Sequence, residues 1–355
     1  MSFTIHKQRL GMVLAAVGLL LALWAAPAHG ATSAEVTVMT RNLYFGTNLD
    51  RVVQAPTVPD FLAAVATSYT NALATDFAGR AAVWAKEIAE AEPDLVGLQE
   101  AVLWRTGPAD FSAVPNATTV TADFVQSLLS ELDRRGEQYD VVASTTGYDV
   151  EAPGAFASGL MDIRLTQQEV ILARRGSNLT ISNSQGGQYS ARLTIPTVGG
   201  PVSLPWAWAS VDVTVRGQSF RFATTHLDSA ADSLRLAQAT EFLAGPGATQ
   251  LPLIWLGDFN AAPGSPPYAA ITAGGLEDAW ARKHPGKPGF TCCQAEDLRN
   301  PLSTLDQRID HVFTRGSFQV EETLIVGDKP GNRTRSGLWP SDHAGLVAVL
   351  KLDHE

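Results

Sequence analysis

Along this chain, short apolar runs stop abruptly at polar or glycine-rich stretches, and the spacing of apolar positions switches between two and three-to-four. "AEVTVMTRNL" (34–43) alternates as a half-buried strand does. "RAAVWAKEIAEAEPD" (80–94) puts Val83, Trp84 and Ile88 on one helical face and halts at Pro93. "TADFVQSLLSELDRRG" (121–136) gathers Phe124, Val125, Leu128, Leu129 and Leu132 on one face before a glycine stop. The runs 94–100, 138–144, 168–175 and 251–257 read as short strands. Residues 189–228 read as several strands with turns at Gly199, Gly200 and Gly217, the pattern of antiparallel hairpins. A helix over 230–243 follows, and strands lie within 308–315, 318–327 and 344–352. Stretches 101–120 and 145–165 are rich in Gly, Pro, Ser and Thr and read as long loops, disordered or lining the mouth of a site. Strands outnumber helices; some alternate with helices and some are joined by hairpins. The pattern predicts an α/β protein in which mixed sheets pack face to face with helices outside. No repeat, heptad or interdomain linker interrupts it.

The first 30 residues follow another plan. Lys7 and Arg9 precede an apolar run over 11–26, then Pro27 and the small-x-small triplet Ala28, His29, Gly30. This is the three-part layout of a secretory signal peptide. The run is shorter than the roughly 20 residues a membrane span needs. The expectation is cleavage near Gly30, a secreted or periplasmic protein and a single domain over 31–355. Loss of Lys7 and Arg9 moves the net charge from −10 to −12. An acidic chain has no general field for nucleic acid, although a local site can still meet a phosphate. The only cysteines, Cys292 and Cys293, are adjacent. They are either a vicinal disulfide or two free thiols, and no histidine stands at zinc-finger spacing from them.

The candidate chemistry sits where strands end. Asn42 closes the first strand, and Gln99 and Glu100 close the second. His226 and Asp228 follow another, and Asp258 and Asn260 follow the apolar run "LPLIWLG". Asp310 and His311 lie in "RIDH", and Asp342 and His343 stand just before the last strand. Strands laid side by side bring such ends to one edge. Carboxylate and amide oxygens are hard ligands suited to Mg²⁺, Mn²⁺ or Ca²⁺. An aspartate can hold and deprotonate a water, and a histidine paired with an aspartate can stay cationic beside a developing negative oxygen. Together these point to metal-assisted hydrolysis of a phosphate ester.

"TRNLYFG", "PDLVGLQE", "TTHLDS", "WLGDFN", "RIDHVF" and "SDHAGLVAVL", in this order across 41–350, resemble the endonuclease/exonuclease/phosphatase superfamily. The resemblance implies a four-layer α/β sandwich of two mixed sheets and one catalytic domain over 31–355. It implies that Glu100 ligates the metal with Asn42 beside it, and that Asp342 belongs to the same network. It implies that Asp258 activates water, Asn260 holds a phosphate oxygen, His343 faces the scissile phosphate supported by Asp310, and His226 stands on the phosphate or leaving-group side. A histidine at both 226 and 343 resembles the deoxyribonuclease and sphingomyelinase branches. Arg308 either contacts phosphate or forms a salt bridge. Asp228 reads as a helix N-terminal acid, and Trp206 and Trp208 as core or sheet-face aromatics. The expected cofactor is Mg²⁺, with Mn²⁺ or Ca²⁺ as alternatives. The expected partner is a phosphoester (nucleic acid, phospholipid or soluble phosphate ester), acted on by a monomer without a stable protein partner. A sphingomyelinase-like phospholipase C is one alternative. A non-catalytic binding protein is another, and it predicts loss of a key residue; none is missing.

Overall fold

Two mixed sheets form the centre of the computed structural model, which describes residues 34–110 and 114–353. The expected signal peptide over 1–30 lies outside the described residues. In the larger sheet, Phe318–Val326, Gly345–Leu352, Ala34–Asn42, Leu95–Gln99, Gly159–Arg174, Leu103–Pro108 and Thr119–Asp123 lie in that order, and Tyr139–Phe156 also pairs with Gly159–Arg174. In the smaller sheet the order is Glu277–Asp278, Asp310–Arg315, Leu253–Asp258, Gln218–His226, Ala207–Val215 and Leu179–Gln188. Each sheet contains one parallel pair: Ala34–Asn42 with Leu95–Gln99, and Gln218–His226 with Leu253–Asp258.

The inner core lies between the sheets, where Val38, Leu95 and Ile171 of one meet Val211, Phe222 and Leu256 of the other. The approach is close: a Cβ on Gly97 would collide with Leu256 and Thr224. Helices cover the outer faces. Trp84 of Phe77–Ala91 packs on Phe124, the first residue of Phe124–Arg135, and Phe242 of Asp232–Ala244 stacks on Trp255 at 3.9 Å. This is the expected four-layer α/β sandwich.

Two local differences matter. Residues 145–165 are not a loop but the middle of a long hairpin, turned at Gly159 (φ +117°) and paired through Val150–Leu165 and Ala152–Ile163. Register shifts between Val141 and Ala143 and between Thr146 and Asp149 break the two-residue alternation and hide the strand in the sequence. The helix Val58–Ala74 was not foreseen; Thr57 caps it through the Asp60 amide and a proline sits in its first turn. The hairpin Leu193–Thr197/Gly200–Leu204 pairs only with itself, as a small two-stranded sheet.

One glycine explains where the chemistry begins. Gly257 has φ +145°, and a Cβ there would collide with the Thr225 carbonyl of the parallel neighbour. Only glycine lets the two strands stay in register to their last pair, His226–Asp258.

Candidate active site

Segments that follow strands of both large sheets converge on one pocket of about 700 Å³. It is lined by Glu100, His226, Asp258, Asn260, Asp342 and His343, with Tyr44, Tyr148 and Trp206 around them. Asn42 is fully buried beneath it. Its Nδ2 donates to Glu100 Oε1 at 3.1 Å and to Asp258 Oδ2 at 3.0 Å, while its Oδ1 accepts the Tyr44 amide at 2.9 Å. Asn42 therefore aligns the two acids with its whole amide.

Three residues here hold left-handed backbone: Tyr44 (φ +57°), Glu100 (+51°) and Asn260 (+49°). Such conformations cost about 1–3 kcal/mol each and persist where the surroundings over-determine them. The fixings are visible. Glu100 Oε2 accepts the Phe45 amide at 2.8 Å, and Asp258 Oδ1 accepts the Asn260 amide at 2.9 Å. Asn260 Nδ2 donates to the Leu227 carbonyl at 2.9 Å and lies 3.1 Å from His226 Nε2.

The two histidines differ in charge. Burial, then the nearby His343, pushes His226 well below its ordinary range, so His226 is neutral. Its ring lies 4.1 Å from that of Trp206, and its Nδ1 is buried without a partner. Burial also opposes protonation of His343, but Asp310, Asp258 and Asp342 outweigh it and hold His343 cationic. His343 Nδ1 lies 2.8 Å from Asp310 Oδ2, and its Nε2 lies 3.7 Å from Asp258 Oδ2. Arg41 secures this segment from behind, donating to the His343 carbonyl at 2.5 Å while its Nε binds Glu87 at 2.9 Å.

The carboxylates crowd one another. Burial, reinforced by Asp342, pushes Glu100 up to about 8, and burial pushes Asp258 up to about 7. Asp342 is raised by burial as well. Asp310 Oδ1 is buried with no hydrogen-bond partner. Hard oxygen donors that repel one another in a buried pocket are what a divalent cation relieves. One candidate cluster, Asp258, Asp310 and His343, has its ligand atoms within 4.8 Å of one another. Its His343–Asp310 contact is already a hydrogen bond, and Glu100 and Asp342 lie in the same pocket beside it.

The match to known proteins follows the same residues. A family model described as the endonuclease/exonuclease/phosphatase family matches residues 42–343. The chain belongs to this family. As a member of the endonuclease/exonuclease/phosphatase family it is a hydrolase of phosphoester bonds, and such enzymes are generally dependent on a divalent metal. No curated protein sequence matches it. Among solved structures, a family protein from Bacteroides thetaiotaomicron is similar with TM-score 0.59 and 19% identity, over 91% of this chain and 99% of that one. A mannosyl-6-phosphatase from the same organism gives TM-score 0.55 and 19% identity, over 89% and 99%. Truncated TDP2 of Caenorhabditis elegans gives 0.53 and 14%, over 89% and 97%. At these identities the likeness is one of fold.

Some expected residues lie elsewhere. Arg308 is buried away from the pocket, bonded to Asp278 and 3.3 Å from His311 Nδ1. It precedes the strand Asp310–Arg315, so strand alternation does not carry it to the side of Asp310. Other arginines are also engaged: Arg41 is buried on Glu87, and Arg105 and Arg164 are paired with Asp149. Arg333 lies over Trp339. Asp228 is not a helix cap: it accepts from Trp206 Nε1 at 3.1 Å and from the Ala230 amide at 2.7 Å. Trp206 belongs to the core, as expected, and the same ring also forms a wall of the pocket. Cys292 and Cys293 are joined as a disulfide and also line it. Nothing in the spacing of Trp206 or the cysteines placed them there; both arrive through long-range packing.

Proposed function

We propose that the chain is an exported, divalent-metal-dependent hydrolase in which Asp258 activates the attacking water. The observation that supports this most is the charge pattern of the pocket: an acid raised toward neutrality, a cationic histidine and a neutral one, all within reach of one phosphate. Glu100, held in place by Asn42, and Asp342 would hold the ion; Mg²⁺ suits them best, with Mn²⁺ and Ca²⁺ as alternatives. The ion supplies Lewis-acid polarisation of a phosphoryl oxygen when bound.

The protein's own groups supply the rest. Asp258, tethered by the amides of Asn42 and Asn260, takes the proton of the water as it attacks phosphorus. His343, kept cationic by Asp310, donates from Nε2 to the oxygen that gains charge. Asn260 and neutral His226 orient a second phosphoryl oxygen or the leaving oxygen. The P–O bond to the leaving group breaks as the new P–O bond forms. The unit is a single catalytic domain over 31–355 acting without a stable protein partner.

The test is turnover of methyl p-nitrophenyl phosphate and p-nitrophenyl phosphate by the purified chain in Mg²⁺, Mn²⁺ or Ca²⁺ and in chelator. Chelator-sensitive release that falls about 10²–10⁴-fold in Asp258→Ala, with an unchanged circular dichroism spectrum, is the expected result. Full activity in folded Asp258→Ala would overturn the mechanism. Export is checked separately: protein recovered outside the cell should begin near residue 31.

A further inference from the structure

A second cavity adjoins the active site. It measures about 360 Å³, within the usual range for a ligand pocket. It lies between the helix Val58–Ala74, the long hairpin and the small hairpin Leu193–Thr197/Gly200–Leu204. Its walls are apolar: Phe61, Val65, Trp104, Ile163, Leu165 and Val202 are representative. The one charged lining residue, Glu151, has both carboxylate oxygens occupied by the amides of Asn116 and Ala117, at 2.9 and 2.8 Å.

The cavity shares a wall with the catalytic pocket. Leu49, Val53 and Leu204 line both. The small hairpin spans the two, because alternation puts Leu193, Ile195, Val202 and Leu204 on one half-buried face. Trp104 of the cavity donates to the Phe45 carbonyl, and the Phe45 amide binds Glu100. At the far side Val58 is 53% exposed, so the cavity opens to solvent.

The catalytic pocket says what should enter. Among the described residues, no arginine or lysine lines it, while Asp50, Asp228 and Glu296 add to its acids. A polyanion gains its affinity from cations along its path, and among the residues lining this one only His343 is cationic. A single phosphate bearing an uncharged, apolar body meets no such penalty.

We infer that the apolar cavity binds one hydrocarbon chain of an amphiphilic phosphoester whose phosphate occupies the catalytic pocket. The inference rests on the hydrolase reading above and names its substrate class. Water adds across the P–O ester bond, giving an alcohol and a phosphate, with the chain held fixed on one product.

The test is a series of n-alkyl p-nitrophenyl phosphates from methyl to decyl, each below its critical micelle concentration, with Mg²⁺. Each added methylene should lower KM about fourfold (~0.8 kcal/mol) until the cavity is full. Val65→Trp and Val202→Trp should flatten that slope, read within each variant so that its absolute rate is immaterial. Calorimetric binding of the matching n-alkylphosphonates gives the same slope without turnover. Turnover of the methyl ester with no chain-length gain would overturn the inference and leave the hydrolase reading intact. Chain-length-dependent phosphonate binding without turnover of any ester would uphold the cavity assignment and overturn the hydrolase reading. A parallel arm offers phosphatidylcholine or sphingomyelin vesicles. Turnover there assigns the chain to a membrane lipid, and turnover of the monomeric esters alone assigns it to a soluble amphiphile.

Discussion

Asp310 and His311 are neighbours on one strand, yet each belongs to a different acid–histidine pair. On one side Asp310 Oδ2 meets His343 Nδ1 at 2.8 Å; on the other, His311 Nδ1 meets Asp278 Oδ2 at 3.1 Å. Both pairs are buried, and in composition they are the same. They differ in what is left over. His311 spends its second nitrogen on the Ala261 carbonyl at 2.9 Å, and Asp278 also holds Arg308, Tyr268 and the Ala281 amide. His343 leaves Nε2 pointing toward Asp258 at 3.7 Å, beyond hydrogen-bond reach, and Asp310 leaves Oδ1 without a partner. One pair is closed and serves as a rivet. The other is open toward a pocket and has capacity for something that is not protein.

Substitution should separate the two. The largest effect is expected from Asp310→Asn, which removes the main charge holding His343 cationic: kcat should fall about 10²–10⁴-fold, measured on methyl p-nitrophenyl phosphate, with little change in the urea midpoint. The mirror experiment is Asp278→Ala. It strands a buried arginine and should cost about 3–5 kcal/mol of stability, while the folded fraction keeps its kcat at low temperature. A variant that lost activity but no stability at 278 would collapse the distinction.

Acid sharpens it further. Burial raises Asp278, but His311 and Arg308 outweigh burial and hold its carboxyl well below the usual range. A folded value below the unfolded one of about 3.9 means this stabilisation is complete above about pH 4 and is lost as the pH falls through the folded value. The gap in urea midpoint between the parent and Asp278→Asn should be flat from pH 8 to about 5 and narrow below about 4. The smallest effect is expected from Trp206→Phe, which keeps the ring beside His226 but drops the hydrogen bond to Asp228. A net loss of about 0.5–1.5 kcal/mol should appear as a two- to tenfold fall in kcat/KM.

Legibility in the sequence followed range. The helix stop at Pro93, the Gly136 cap (φ +83°) and the turns at Gly200 and Gly217 are local chemistry, and all were readable. So were the strand ends carrying Asn42, Glu100, His226 and Asp258, and His343 just ahead of the last strand, since a polar residue bounding an apolar run is visible without knowing its neighbours. The long hairpin was not, because its bulges break the two-residue period. Of the two readings of Arg308, the salt bridge holds and the phosphate contact does not, because the residue precedes its strand, where alternation has no hold. Trp206 could not be told from a core tryptophan: whether a large apolar ring faces a core or a pocket is decided by the opposite wall, which here is His226.

The pairing of Ala34–Asn42 with Gly345–Leu352 has a consequence in time. Asn42 and His343 are separated by nearly the full described length, yet Arg41 bridges from one to the carbonyl of the other. A ribosome must release almost the entire chain before the last strand can dock beside the first. Until then the acid cluster and the histidine of the proposed mechanism are not together. On that mechanism a truncation that removes the last strand should show no turnover however well the remainder collapses.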